Sequence, residues 1–141
     1  MLGGEFRHNL DSKNRIFIPA KMRDALGTTF VVSKALRQKC LAVYSLEEWD
    51  KYMEPILKQN GNLRERTLRF LNASSAEVTP DSQGRIVLPK HLVEYAGIDK
   101  ALVVVGCYNR AEIWSEEAYD LLNANEDDLT SMIAELESFG L

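Results

Sequence analysis

The strongest constraint on this chain is an internal duplication. The stretch LDSKNRIFIPAKMRDALG, from Leu10 to Gly27, returns as PDSQGRIVLPKHLVEYAG, from Pro80 to Gly97. At an offset of 70, residues 11–50 align on 81–120 without a gap. Nine pairs are identical, among them Asp11/Asp81, Ser12/Ser82, Arg15/Arg85, Ile16/Ile86, Pro19/Pro89 and Gly27/Gly97; average residue usage gives roughly three by chance. Conservative pairs such as Ile18/Leu88, Val43/Ile113 and Tyr44/Trp114 extend the match. Two copies at so long a period are a duplicated unit, not a solenoid.

Each copy parses alike. A strand enters, at about 5–10 and 75–79, and meets D-S-x-[NG]-R. Asn14 and Gly84 share one slot, and these residue types most easily take positive φ. The slot predicts a hairpin turn in which Asp and Ser side chains close onto nearby backbone N–H groups. A second strand follows, RIFI or RIVL. Pro19 and Pro89 stand where a short helix begins, at the position where a missing N–H costs nothing. Gly27 and Gly97 stand where it ends. Two more strands follow in each copy: TFVVS and LAVYS, then ALVVVG and AEIWS. Ser45 and Ser115 cap a second helix, with SLEE read as a capping box.

A unit of about 70 residues has little interior and is marginal alone. Interleaving the hairpins of both copies gives them one shared core. The fold expected is therefore α+β, mainly β: two tandem repeats in one small β-barrel-like body with short peripheral helices. The divisions are 1–55 for the first repeat, 56–74 for a connector, 75–122 for the second repeat and 123–141 for a terminal helix. In the connector, Asn60-Gly61-Asn62 breaks the chain, and a helix follows with Leu63, Thr67, Leu68 and Leu71 toward one face. Asn125 caps the last helix, whose stripe of Leu129, Met132, Ile133, Leu136 and Phe139 has to bury against something, the body of the same chain before a neighbouring subunit.

Net charge is −4, but it is unevenly spread: +5 over residues 1–40, zero over 41–70 and −9 over 71–141. Such asymmetry points to a basic working face and an acidic remainder. Going from copy one to copy two, Arg7 becomes Glu77, Lys13 Gln83, Lys21 His91, Arg23 Val93, Lys34 Val104 and Lys39 Asn109. The turn, prolines, glycines and apolar pattern persist while six basic residues vanish. Folding needs the shared set; the basic set is an addition to copy one. Arg7, Lys13 and Arg15 flank or occupy the first hairpin, and a two-stranded ribbon fits the major groove of B-DNA. The competing reading is a solvated charged face. Arg15 and Arg85 have two roles open to them: an Asp–Arg pair that stabilises each turn, and, for Arg15, nucleic-acid contact.

Catalytic chemistry is thin. His8 and His91 have no metal-ligand spacing, no Walker-type or G-x-S-x-G loop occurs, and the carboxylates of EEWD and NEDD lie at helix starts. No enzyme, cofactor or metal is expected. Cys40 and Cys107 make no disulfide framework and read as buried, inert thiols. No apolar run reaches membrane-spanning length, and the N-terminus lacks the apolar core of a signal peptide, so a soluble cytoplasmic protein is expected.

Two D-x-x-x-R units followed by IPAKMR and LPKHL, an opening MLGGEF…LDSKNR and the closing VGCYNRAEIWSEEAY resemble the MraZ family over nearly the whole chain. This is a family of bacterial transcriptional regulators with two domains related to the AbrB/SpoVT class. The resemblance implies a swapped-hairpin β-barrel, assembly of subunits into a ring, a nucleoid location and binding to short direct repeats upstream of the division and cell-wall gene cluster, usually as a repressor of that cluster and its own gene. It places the DNA contact on the first D-x-x-x-R hairpin, here Asp11 to Arg15. Only Arg15 carries over through the motif. Arg7, Lys13, Lys21 and Arg23 join it from the charge comparison, while Asp11, Asn14, Asp81, Gly84 and Arg85 form the structural frame. Asn14 stands where the family more often has glycine. The alternative function is a ring-forming scaffold whose basic face meets an acidic protein.

Overall fold

The computed structural model describes all 141 residues. Copy one contains β1 (Glu5–Asn9), β2 (Arg15–Phe17), α1 (Ala20–Leu26), β3 (Phe30–Lys34), β4 (Leu41–Ser45) and α2 (Leu46–Leu57). The connector is α3 (Asn62–Leu71). Copy two repeats the order as β5 (Ala76–Val78), β6 (Arg85–Val87), α4 (Lys90–Tyr95), β7 (Ala101–Gly106), β8 (Ala111–Ser115) and α5 (Glu116–Asn123), and α6 (Glu126–Glu137) closes the chain.

The copies are exchanged strand for strand. Six strands form one sheet in the order β1-β7-β8-β4-β3-β5, and β2 and β6 form a separate antiparallel ribbon. The first strand of each copy thus pairs with the third strand of the other: β1 on β7 and β5 on β3. The ribbon register is Arg15 opposite Val87, Ile16 opposite Ile86 and Phe17 opposite Arg85. Two further bonds extend it symmetrically: Leu88 N donates to Asn14 O at 2.8 Å, and Ile18 N to Gly84 O at 3.0 Å. This corrects the expected hairpin. β1 and β2 join through the Asp11–Arg15 turn but do not pair as a ribbon; the ribbon takes one strand from each copy. Either copy alone would leave β1 and β2 without ladder partners, as exposed edges.

Alternation along the strands explains the core. Phe30, Val32, Leu41, Val43, Leu102, Val104 and Ile113 face inward, where they meet Ile16, Ile18, Ile86 and Leu88 of the ribbon and Met22, Leu26 and Leu92 of α1 and α4. All are buried, and each such side chain contributes about 1.5–3 kcal/mol on leaving water. The opposite sheet face carries Tyr44 and Trp114, which stack against Trp49 and Tyr52 of α2 and Tyr119 of α5. Buried Cys40 has its thiol pushed up to about 12 by desolvation, which makes it unreactive; Cys107 is only half-buried, short of the full burial expected.

Helix termini follow the sequence with two adjustments. Ser45 Oγ accepts from Glu48 N at 3.1 Å and Ser115 Oγ from Ala118 N at 3.1 Å, while Asn125 Oδ1 accepts from Asp127 N and Asp128 N. Pro19 and Pro89 sit at the cap itself, one residue before the first helical position, in extended geometry. In α3 only Leu71 is fully buried; Leu63 is 71% exposed, so the expected apolar face is confined to its last turn. The larger correction concerns α6. Leu129, Met132 and Ile133 are each about half exposed and Phe139 is 80% exposed, so the stripe does not bury against the body of its own chain.

Candidate nucleic-acid interface

The first turn is built around one carboxylate. Asp11 Oδ1 accepts from the backbone N–H groups of Lys13 at 2.9 Å and Arg15 at 2.8 Å, and Oδ2 accepts from Arg15 Nε at 2.7 Å. Asp11 N donates to Arg15 O, and Asn14 N to Asp11 O. Asn14 takes φ of 56°, the left-handed conformation. The second turn repeats this at Asp81, Gln83, Gly84 and Arg85, with Arg85 Nε 3.0 Å from Asp81 Oδ2. Hydrogen bonds from the turn, the backbone N–H of Arg15 foremost, hold the Asp11 carboxyl down to about 2. Asp81 is lowered for the same reason. Fixed this way, the turn presents exposed Lys13, which has no carboxylate partner, and half-buried Arg15, anchored through Nε alone with its Nη nitrogens free of intrachain bonds.

The structure does not gather all the expected basic residues there. Arg7 points to the outer sheet face, where Nη2 lies 2.9 Å from Asp120, Nη1 3.4 Å from Glu116 and Nε 3.4 Å from Glu5, above the Tyr119 ring. The hydrogen bond to Asp120 foremost, with Glu5 adding to it, raises its already high pKa, and its charge is spent within the chain. Lys34 and Lys39 lie over the rings of Phe70 and Tyr95. Arg23 is brought beside the second turn, not the first, with its guanidinium against Gly84; Lys21 is exposed two positions earlier on α1, about 200° away around the helix. Antiparallel pairing of β2 with β6 sets Ile18 opposite Gly84, so α1, which follows Ile18, begins next to the turn of the other copy. By the same register the first turn lies beside Leu88 and the start of α4, where Lys90 is exposed and pairs loosely with Glu94 at 3.9 Å. Lys90 was missed because it aligns with Ala20 and drops out of a copy-to-copy charge comparison. Carrying the strand exchange through to the helices would have found it.

No group of three or more His, Cys, Asp or Glu side chains is placed to hold a metal ion, and His91 Nε2 lies 2.8 Å from the carbonyl of Ser74. No helix is long and apolar enough to cross a membrane.

A rigid, twice-used D-x-x-x-R turn on an exchanged-strand body has a counterpart among known proteins. The family described as "MraZ protein, putative antitoxin-like" matches residues 1–72 and again 70–136, one match to each copy. The chain belongs to the MraZ family. It is similar to the protein named transcriptional regulator MraZ of Clostridium beijerinckii, 41% identical over 145 aligned positions covering all of both chains. It is also similar to that of Desulforamulus reducens, 44% identical over 138 positions and 96% of each chain, and to that of Caldicellulosiruptor bescii, 42% identical over 144 positions and the whole of both. The name these relatives carry is that of transcriptional regulators, not of enzymes.

Proposed function

We propose that this MraZ chain is a sequence-specific DNA-binding transcriptional regulator that works from the cytoplasm at the nucleoid and represses the division and cell-wall gene cluster, its own gene included, by multivalent binding to short direct repeats. The observation that carries this reading is the first turn: a frame locked by Asp11 that holds Arg15 with its Nη nitrogens free and Lys13 with its ammonium in no ion pair. Lys suits phosphate oxygens, and an Arg fork can also reach the edge of guanine. The working set is Lys13 and Arg15, with Arg23 at the neighbouring turn and Lys21 exposed on α1; Arg7 serves the fold. Repeats at 1–55 and 75–122 form a swapped-hairpin barrel, a proposal supported by the reciprocal β1–β7 and β5–β3 ladders around one core. The half-exposed stripe of α6 supports assembly of subunits into a ring.

The test is binding of wild type and Arg15→Ala to the DNA upstream of this chain's own gene, against a scrambled duplex, at two salt concentrations. Specific, salt-sensitive binding that is lost in a folded, still oligomeric variant is expected. Equal binding to both duplexes removes the regulator and leaves a scaffold with a basic face.

A further inference from the structure

The outer face of the sheet, across from the β2–β6 ribbon, holds a cavity of about 400 Å³. It opens over the pairing of β4 with β8, where Ala42 stands opposite Glu112. These two positions correspond under the 70-residue offset, so the cavity lies where the copies meet. Its room comes from a difference between them. Copy two has Arg110 and Glu112 where copy one has Cys40 and Ala42, both buried. Long side chains on one strand face short ones on the other, and the space above the short ones stays open. One wall is aromatic. Tyr44 and Tyr52 stack with centroids 4.8 Å apart and planes at 19°, and Trp49 lies 5.7 Å from each. Tyr95 donates to Ala35 O at 2.7 Å, whereas the hydroxyls of Tyr44 and Tyr52 bond nothing in the chain. Tyr44 is only 5% exposed. No fully buried side-chain polar atom is left unpartnered, so its hydroxyl reaches the open space of the cavity that it lines. Burial raises the pKa of both phenols, which keeps them protonated as donors. The rim is basic. Arg110 Nη2 donates to Glu112 Oε2 at 3.0 Å, and Glu112 Oε1 accepts from Trp114 Nε1 at 3.0 Å, so both oxygens of that carboxylate are engaged. Arg110 Nη1 has only Asn109 Oδ1, at 3.4 Å. Arg37, on the loop between β3 and β4, is exposed and in no ion pair. The lining thus sets two guanidiniums against one carboxylate, a surplus of one positive charge.

We propose that this cavity is a small-molecule site for a flat aromatic monocarboxylate, whose ring lies against the Tyr44–Tyr52 wall and whose carboxylate meets Arg37, the free edge of Arg110 and the Tyr44 hydroxyl. The volume is in the range of ligand pockets, about 300–1,000 Å³, and the mixture of an apolar wall with a few convergent polar groups is that of such pockets. An aromatic pair takes a further ring by offset or edge contact. A guanidinium fork matches a carboxylate with two parallel bonds. The charge selects a monoanion: one negative charge balances the surplus, whereas a dianion would leave a charge uncompensated beside Glu112. Copy two has no equivalent, because Leu122 replaces Tyr52 and Cys107 replaces Arg37, so each chain has one site. No lining residue belongs to either D-x-x-x-R turn, and the inference stands apart from the DNA-binding reading.

The test is isothermal titration calorimetry on the full chain in its native assembly, with naphthoate, the neutral isostere naphthamide and inorganic phosphate as probes. Naphthoate should bind with one site per chain, and naphthamide and phosphate at least tenfold more weakly, since one lacks the charge and the other the ring. Hydrogen bonds to a charged group are each worth about tenfold or more in affinity. Arg37→Gln, at an exposed position, should therefore weaken naphthoate by about tenfold, and Tyr44→Phe by about three- to tenfold. Neither should lower Tm, because Arg37 has no ion pair to lose and the Tyr44 hydroxyl has no intrachain bond to lose. That separates a ligand contact from a structural role. Absence of naphthoate binding by wild type overturns the site, as does naphthamide binding as tightly as naphthoate. Binding that is unchanged in both Arg37→Gln and Tyr44→Phe places the ligand elsewhere and overturns it equally.

Discussion

The guanidinium of Arg23 rests on Gly84, 61 positions away in sequence and in the other copy, so closely that a Cβ there would displace it. Copy two has Val93 in place of Arg23, and copy one has Asn14 in place of Gly84. The exchange of residue type at one site follows the exchange at the other. Gly84 also holds φ of 80°, where L side chains are strained. Gly84→Ala should therefore destabilise the protein by about 1–3 kcal/mol, from backbone strain together with displacement of Arg23. Asn14→Gly, at φ of 56°, should change stability by only a few tenths of a kcal/mol. Combining Gly84→Ala with Arg23→Ala should be less damaging than the sum of the two. Denaturant unfolding of the four variants and wild type measures this, and strict additivity would show that the contact carries no energy.

Arg15 and Arg85 make the same bonds to Asp11 and Asp81, at 2.7 and 3.0 Å. Both pairs are partly exposed, so solvent screening leaves each a modest contribution. Arg15→Ala and Arg85→Ala should lower Tm by similar, small amounts. Arg15→Ala should also abolish discrimination between upstream and scrambled DNA, whereas Arg85→Ala should leave it intact. Unchanged DNA affinity in Arg15→Ala would leave that residue only its role in the turn.

Most elements were legible from residue types at fixed spacing: every strand, both short helices, the Ser45, Ser115 and Asn125 caps, and the turn with its positive-φ slot. What was not legible is which strand meets which. Asp11 to Arg15 forms the same turn whether β2 pairs with β1 or with β6, because the turn bonds are local. Period-2 alternation gives Ile16 a buried face in either case. Pairing is decided by the shared core, and from pairing follows the place of Lys21, Arg23 and Lys90. Arg7 was misplaced for a related reason. Its neighbours in sequence are the turn, but its neighbours in space are Asp120 and Glu116 of α5.

The pH dependence of stability follows from the turns. The folded-state carboxyls of Asp11 and Asp81 are lowered by backbone N–H donors, most strongly those of Arg15 and Arg85. An acid depressed in the folded state contributes stability that is fully present above its unfolded pKa, about 3.9, and is lost as pH falls through the folded value, about 2 for Asp11. Urea unfolding between pH 6 and 2 should show a decline beginning near pH 4, and it should be shallower in Asp11→Asn and shallower still in Asp11→Asn/Asp81→Asn. An acid limb identical in all three proteins would assign it to other carboxylates.

Multivalency sets the last expectation. On the DNA-binding reading, one ribbon would offer a handful of phosphate contacts and bind weakly at physiological salt. Subunits joined through α6 would present the same ribbon several times, so that after the first contact the second is nearly intramolecular, and avidity can exceed single-site affinity by about 10²–10⁴. The half-exposed Met132 and Ile133 lie on that stripe and touch no functional turn. Ile133→Glu should then reduce the sedimenting species toward monomer with little change in protomer melting. It should leave binding to a single DNA repeat unchanged and cut binding to three in-phase repeats by at least tenfold. An oligomer that persists in Ile133→Glu would move the subunit contact off α6; equal wild-type affinity for one repeat and for three would remove multivalency as the source of operator recognition.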